Sequence, residues 1–193
     1  ELRRLEPSRI VLLGGTAAVS TEVEEALGAF AAVERIGGPT RFATSALISE
    51  AAFGADTGEV WIANGERVGD TLAGGAAAAR AGAPLLLVPA AASPAEVAAE
   101  LRRLSPHRIV LLRGPGAVGA DVEAALADIA PVTRLAGPTR VHTAAAVAEH
   151  AELLAACAAQ VMVYGGCGLM PGDAPLAAPL PTPPGSATAA WSA

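Results

Sequence analysis

The sequence predicts a layered α/β fold, a parallel-sheet sandwich built from tandem repeated modules. Runs of consecutive apolar residues such as RIVLL alternate with longer helix-like segments, and continuous apolar strands are typical of parallel sheets covered on both faces. Of the 193 residues, 52% are hydrophobic and 17% are charged, as in compact domains. Residues 1–50 also align with residues 100–149 without a gap, and 28 of these 50 positions are identical.

The constant offset of 99 residues indicates how the chain is divided. A period of this length fits a small domain that recurs and is too long for a solenoid. One complete module is predicted at 35–132, preceded at 1–33 by the second half of another and followed at 134–180 by the first half of a third. Residues 181–193 are Pro-rich and predict a flexible tail. The chain begins with Glu1 and shows no signal peptide, so we expect it to be a piece of a longer protein.

Local signals give the order of elements in the complete module. Thr40 is expected to begin the first helix because its side-chain oxygen accepts a hydrogen bond from a first-turn N–H, and Asp70 is expected to do the same for the second. Gly82 ends that second helix, and Ser93 with Glu96 predicts a capping box for the third. The predicted helices are 40–52, 70–81, 94–104 and 121–129, and the predicted strands are 60–63, 84–88 and 108–112.

Charge and motif content exclude several classes of protein. The formal net charge is −6 and all 13 basic residues are arginine, which argues against a nucleic-acid partner. The charge-poor stretch that a hydropathy window would flag, 81–95, contains three prolines, so no membrane span is predicted. The aspartates are dispersed and neither H-E-x-x-H nor G-x-S-x-G occurs. We therefore predict no metal site and no catalytic residues.

A glycine-rich turn raises the question of whether the chain binds a nucleotide cofactor. Residues 114–119 fit G-x-G-x-x-G between a strand and a helix, the setting of a dinucleotide-binding turn. The aligned segment at Gly14 and Gly15 breaks the pattern, and Arg134 stands where an acid would bind the ribose. A tight turn in which glycine supplies a positive φ explains both copies, so no cofactor is predicted. The alternative is a doubly wound nucleotide- or sugar-binding enzyme that uses residues 114–119 as a phosphate loop.

A turn with two arginines recurs at the same offset. RIGGPTR at 35–41 is matched by RLAGPTR at 134–140. The second arginine of each falls in the first turn of a helix, where the helix dipole disfavours a cation unless an anion lies nearby. The turns are candidate anion-binding sites, and each arginine is at least as well suited to pair with an acid inside the fold. The candidate binding residues are Arg35, Thr40, Arg41, Arg134, Thr139 and Arg140.

The order of four motifs resembles the cell wall-binding repeat 2 family. The resemblance lies in RIGGPTRFATSALIS, WIANGERVGDTLAGGAAAARAGAPLLLVP and RIVLLRGPGAVG. The family pattern has Asp before the second arginine, where this chain has Thr40 and Thr139, and Tyr after it, where this chain has Phe42 and Val141. The family's P-D-A-L reads Gly-Asp-Thr-Leu here. The turn and cap positions that correspond to the pattern are Gly14, Gly15, Gly65, Asp70, Gly114 and Gly116.

The resemblance implies a function and a location. Family modules have a Toprim-like topology and usually occur as three in secreted bacterial surface proteins, where neighbouring repeats contact each other. They would bind an anionic cell-wall polysaccharide or a teichoic-acid-like polymer without covalent bonds or catalysis, as in S-layer-like anchoring. An effector or hydrolase domain would lie elsewhere in the full-length protein. A third interpretation is a structural spacer that binds no glycan.

Overall fold

A computed structural model describes residues 1–66, 68–112 and 116–150, without the side chains of residues 68–70 and Arg140. Every element predicted for 40–129 is present, with ends that differ by at most two residues. The tail predicted at 181–193 and the residues predicted between 151 and 180 lie outside the described part, so the division into modules stays a prediction. The helices are α1 (Leu2–Leu5), α2 (Thr21–Gly28), α3 (Arg41–Ala52), α4 (Val68–Ala81), α5 (Ala95–Leu104), α6 (Ala120–Ala127) and α7 (Arg140–His150), and the strands are β1 (Arg9–Leu13), β2 (Ala32–Ile36), β3 (Glu59–Asn64), β4 (Leu85–Val88), β5 (Arg108–Leu112) and β6 (Val132–Leu135).

A four-stranded parallel sheet forms the centre of the described part, in the order β4-β3-β5-β6. Alternate residues of β3 point to opposite faces, so both faces of the sheet have an apolar core. Val60 and Ile62 pack with side chains of α5 and α6, and Trp61 and Ala63 pack with side chains of α4 and α7. The prediction of a parallel sheet covered on both faces is therefore confirmed.

Small side chains allow α4 to lie close to this sheet. A Cβ added at Gly74 would lie 2.1 Å from a methyl carbon of Leu112, and Ala77 and Ala78 are buried against the same face. The high alanine and glycine content of this segment is thus a packing requirement. Within the described residues, no helix is both long and apolar enough to cross a membrane.

A separate two-stranded parallel sheet is formed by β1 and β2. Its register repeats that of β5 and β6, since Ile10 pairs with Val33 and Ile109 pairs with Val132, each pair at the offset of 99. The helix α3 connects the two sheets because it follows β2 and packs on β4 and α5. The buried hydroxyl of Ser45 accepts a hydrogen bond from the Leu87 N–H of the edge strand β4 at 3.0 Å.

The helix ends agree only in part with the predicted caps. Thr40 caps α3, where its hydroxyl accepts from the Ala43 N–H at 3.0 Å, and Gly82 follows α4 with a φ of +65°. The cap predicted at Asp70 is wrong, because α4 begins two residues earlier and Asp70 lies within its first turn. The capping box at Ser93 is also wrong. Pro94 has a ψ of 145° and stays outside α5, so it takes the cap position itself.

The aligned leucines of α5 and α1 provide a matched test of the core. Leu104 is fully buried, whereas its counterpart Leu5 is 55% exposed. We expect Leu104→Ala to lower the free energy of unfolding by about 2–5 kcal/mol, the usual cost of removing a buried leucine. Leu5→Ala should change it by about 0.5 kcal/mol or less. Urea unfolding of both variants measures the difference, and equal losses would contradict this assignment of the core.

Candidate functional site

The six predicted binding residues lie at two equivalent places in the fold. The first turn leads from β2 into α3, and the second leads from β6 into α7. Each turn carries the chain from the last strand of a sheet to a helix. We call these two segments, 35–41 and 134–140, the arginine turns.

The guanidinium of Arg35 is held inside the protein. Its Nε donates to the Glu24 carboxylate at 3.0 Å, and Nη1 donates to the carbonyls of Gly14 and Val19 at 2.8 and 2.9 Å. Its Nη2 lies 2.9 Å from the same carboxylate and donates to the Ser20 carbonyl at 3.3 Å. Four of the five N–H donors of the guanidinium therefore form hydrogen bonds within the chain. Arg35 fixes the end of β2 to the loop between β1 and α2.

Arg134 repeats this arrangement in the second arginine turn. Its Nε and Nη2 donate to the Glu123 carboxylate at 3.1 and 2.7 Å, and Nη2 also donates to the Val118 carbonyl at 3.2 Å. Glu123 and Val118 stand 99 residues after Glu24 and Val19. The hydrogen bond from Arg134 lowers the pKa of the Glu123 carboxyl from its ordinary value of 4.5. The first arginine of each turn thus forms an internal ion pair.

Close backbone packing explains the glycines between the two arginines. A Cβ at Gly37 would lie 2.4 Å from the carbonyl carbon of Gly14 and 2.5 Å from the nitrogen of Gly15, distances that no side chain tolerates. Gly14 itself has a φ of +114°, and its N–H donates to the Ile36 carbonyl at 2.8 Å. The prediction that glycine supplies a positive φ in this turn is confirmed at Gly14.

The threonines of both turns act on the backbone. Thr139 occupies the position of Thr40 before α7, and its hydroxyl lies 2.9 Å from Nδ1 of His142. The N–H of Gly38 donates to the Thr44 hydroxyl at 3.0 Å, and the N–H of Gly137 donates to that of Thr143 at 3.2 Å. Threonine hydroxyls at the cap position and in the first turn of each helix therefore hold the backbone where α3 and α7 begin.

Arg41 differs from Arg35 because it is exposed. Its Nη1 donates to the Gly65 carbonyl at 2.9 Å, and its other donors have no acceptor among the described residues. A Cβ at Gly65 would lie 2.8 Å from the Phe42 ring, so glycine lets the start of α3 approach this turn. The corresponding Arg140 begins α7, and its side chain lies outside the described part. Among the arginine side chains of the two turns that the structure describes, the Arg41 guanidinium therefore has N–H donors available for a ligand.

The glycine-rich turn after β5 faces the turn after β3 at the carboxyl edge of the sheet. Doubly wound folds bind ligands where the helices after neighbouring strands leave on opposite faces, as α4 and α6 do here. The buried Asn64 occupies this place, where its amide nitrogen donates to the Ala117 carbonyl and its oxygen accepts from the Glu66 N–H at 2.7 Å. Gly114 lies outside the described residues. Gly116 has no positive φ, so a positive φ in the second copy of the turn stays a prediction for Gly114.

Sequence reasoning missed the acceptors and the buried amide. Glu24 and Glu123 are identical at the repeat offset, as are Thr44 and Thr143, so the alignment contained a signal for both. Asn64 had no such signal, because the aligned VMVYGG segment has glycine at its position. Identity at the repeat offset was therefore the signal that could have identified Glu24 and Glu123 as structural partners.

The family described as cell wall binding domain 2 (CWB2) matches residues 35–123. The match covers 89 of the 193 residues. This confirms the family resemblance drawn from the four motifs, and the matched segment begins at Arg35, the first residue of an arginine turn. A comparison with curated proteins finds no match.

Two solved structures resemble the chain over most of its length. Cwp8 from Clostridium difficile is 30% identical, with a TM-score of 0.65 over 75% of this chain and 24% of its own. Cwp6 from Clostridium difficile is 25% identical, with a TM-score of 0.71 over 79% of this chain and 25% of its own. The chain thus spans about a quarter of the length of each. The α/β fold of this chain is shared with both.

The ion pair at Arg35 should stabilise the sheet of β1 and β2 and its connection to α3. We expect Arg35→Lys to lower the free energy of unfolding by about 1.5–3 kcal/mol, because a lysine ammonium cannot reproduce the planar set of hydrogen bonds. The control is Arg9→Lys, since Arg9 forms an exposed pair with Glu34 at 3.2 Å and exposed pairs contribute little. Urea unfolding compares the two, and similar small losses would contradict the role of Arg35.

The pair of Arg134 and Glu123 should make stability depend on pH. Because the pKa of Glu123 is lowered in the folded state, its contribution is present above the unfolded value of about 4.5 and is lost as the pH falls through the folded value. We expect the free energy of unfolding to fall less steeply between about pH 5 and 3 in Glu123→Gln than in the unmodified protein. Glu25→Gln removes the same charge from α2 and corrects for net charge. Identical slopes for Glu123→Gln and the unmodified protein would contradict this prediction.

Proposed function

We propose that this chain binds an anionic polymer of the bacterial cell wall and anchors a longer surface protein to the wall without covalent bonds. The cell wall binding domain at 35–123 supports wall association. The likeness to Cwp8 and Cwp6 supports the same placement at the cell surface. The observation that carries the proposal is the exposed guanidinium of Arg41 at the start of α3.

The surroundings of Arg41 favour an anionic ligand. A cation in the first turn of a helix is disfavoured by the positive end of the helix dipole, so an anion beside it relieves this repulsion. Phosphate and carboxylate groups match the planar donors that Arg41 does not use in its bond to Gly65. Teichoic-acid-like polymers carry the first group, and acidic polysaccharides carry the second.

Two equivalent arginine turns can give a higher affinity for a polymer than a single exposed arginine can. Arg140 stands in the equivalent turn 99 residues later, and a repetitive polymer presents the same anion at many points. Linked weak contacts give a higher combined affinity when the spacing allows simultaneous binding. The net charge of −6 repels anions as a whole, so we propose that contact is confined to the arginine turns.

The proposed role is non-catalytic. Asn64 joins the turns after β3 and β5 through the Ala117 carbonyl and occupies the place where a doubly wound enzyme would bind its substrate. The binding contacts proposed here need only charge and hydrogen bonds. Any effector or hydrolase activity is proposed for other parts of a longer protein.

One observation favours a structural spacer as the second candidate. The bond from Arg41 to the Gly65 carbonyl joins α3 to the turn after β3, as a purely structural arginine would. In that case both arginines of each turn stabilise contacts between modules, and no polymer is bound. The two candidates differ in what the loss of Arg41 changes, affinity or stability.

Replacing Arg41 and Arg140 by Gln separates these candidates. We expect the double variant to lose about 1–3 kcal/mol of binding free energy for purified cell walls, the scale of charge-assisted hydrogen bonds, with little change in Tm. Binding of the unmodified protein should also weaken with added salt, because exposed charges are screened over about 8 Å at physiological ionic strength. Co-sedimentation with walls across a salt series measures both effects.

A matched control keeps the change in net charge constant. Arg80 and Arg102 are exposed arginines on α4 and α5, outside the arginine turns, and their double replacement by Gln should leave sedimentation close to that of the unmodified protein. Equal losses for both double variants would indicate non-specific attraction. A lower Tm with unchanged wall binding of the folded Arg41 and Arg140 variant would support the spacer instead.

A further inference from the structure

His150, the last residue of α7, faces the carboxylate of Glu59, the first residue of β3. Nε2 of His150 lies 3.8 Å from Oε2 of Glu59, and the two side chains are only 18% and 15% exposed. The position of α3 that aligns with His150 holds Ala51. The repeat itself therefore does not require a histidine at this place, and the contact is specific to α7.

Two other side chains hold the Glu59 carboxylate in place. Its Oε1 accepts a hydrogen bond from Nε1 of the fully buried Trp61 at 2.8 Å, and its Oε2 accepts one from Nη2 of Arg108 at 2.5 Å. Burial alone would raise the pKa of the Glu59 carboxyl, but the hydrogen bonds from Arg108 and Trp61 and the nearby positive charges lower it below its ordinary value of 4.5. Glu59 is therefore a carboxylate at any pH above about 5.

The distance between His150 and Glu59 leaves room for a change on protonation. At 3.8 Å, the imidazole and the carboxylate are close to each other without a hydrogen bond. A protonated imidazole has a positive charge and two N–H donors, and its charge-assisted bond to a carboxylate is shorter, at about 2.7–2.9 Å. A movement of about 1 Å by the last turn of α7 would form this bond.

The charges around His150 leave Glu59 as the partner of a protonated ring. Within the described part of the chain, the other charged groups on the elements around α7 are exposed or already paired. They are Glu149 of α7, Arg80 of α4, Arg134 of β6 and Arg108 of β5. Arg108 repels an imidazolium, but it is 48% exposed, so solvent screens its charge more than that of the less exposed Glu59.

We propose that His150 and Glu59 form a pH switch that fixes the last turn of α7 to the start of β3. As the pH falls through the range in which histidine titrates, about pH 8 to 5, His150 takes up a proton from solvent and its N–H bonds to the Glu59 carboxylate. As the pH rises, this bond opens and α7 is held by apolar packing such as that of Val147. The stability that the bond contributes is present at low pH and lost at high pH. This switch does not depend on polymer binding.

The fluorescence of Trp61 tests the switch in the full chain, because the indole ring contacts His150 with ring centroids 5.6 Å apart. Trp191→Phe leaves Trp61 as the sole tryptophan. We expect one transition in its emission between about pH 8 and 5, and His150→Gln should abolish it. Glu59→Gln removes the charge but keeps an acceptor for the Trp61 N–H, and it should shift the midpoint down by about one pH unit.

A second histidine provides the matched control. His107 is 70% exposed and pairs with Asp56, so His107→Gln should leave the Trp61 transition unchanged. Urea unfolding gives a measurement without fluorescence of the contact itself. Raising the pH from about 5.5 to 7.5 should lower the ratio of folded to unfolded protein at least about threefold more in the unmodified chain than in His150→Gln.

Several results would overturn the proposal. Trp61 emission that does not change with pH would show that no group beside the indole titrates in this range. A transition that persists in His150→Gln, or that disappears in His107→Gln, would assign it to another group. An unshifted midpoint in Glu59→Gln would remove the carboxylate as the partner, and an equal pH dependence of urea unfolding with and without His150 would show that protonation does not stabilise the fold.

Discussion

The internal ion pairs of Arg35 and Arg134 determine where every other part of the two turns lies. Each guanidinium holds the end of a strand against the loop that precedes the neighbouring helix, through a glutamate and backbone carbonyls. Because a planar guanidinium donates in fixed directions, the strand end and the loop have one relative position. The following residues then enter α3 and α7 with a defined direction.

That direction has consequences for both packing and binding. The helix α3 leaves the first sheet and packs on β4 and α5 of the second, and Val147 of α7 covers the opposite face of the same sheet. Arg41 is carried to the surface at the start of α3, beside the Gly65 carbonyl. The two arginines of one turn therefore have different roles, since the first organises the fold and the second is proposed to meet the ligand.

The sequence predicted the elements well because their signals are local. Apolar runs fixed β3 and β5, and Thr40 and Gly82 marked helix ends through their own backbone chemistry. The caps at Asp70 and Ser93 failed because the start of α4 and the extended Pro94 are decided by neighbouring turns. Partners distant in sequence were harder to predict. Glu24 pairs with Arg35 only because β1 and β2 are adjacent, and Asn64 meets Ala117 only once β3 and β5 pair.

The most direct test of this division of roles is the NMR spectrum of the arginine Nε–H groups during titration with soluble wall-polymer fragments. The chain has 13 arginines and no lysine, so this spectrum covers all of its permanently charged basic side chains. We expect the Arg41 signal to move with added polymer, whereas the signals of Arg35 and Arg134 stay in place and exchange slowly with solvent. Movement of the Arg35 and Arg134 signals with a stationary Arg41 signal would contradict this division of roles.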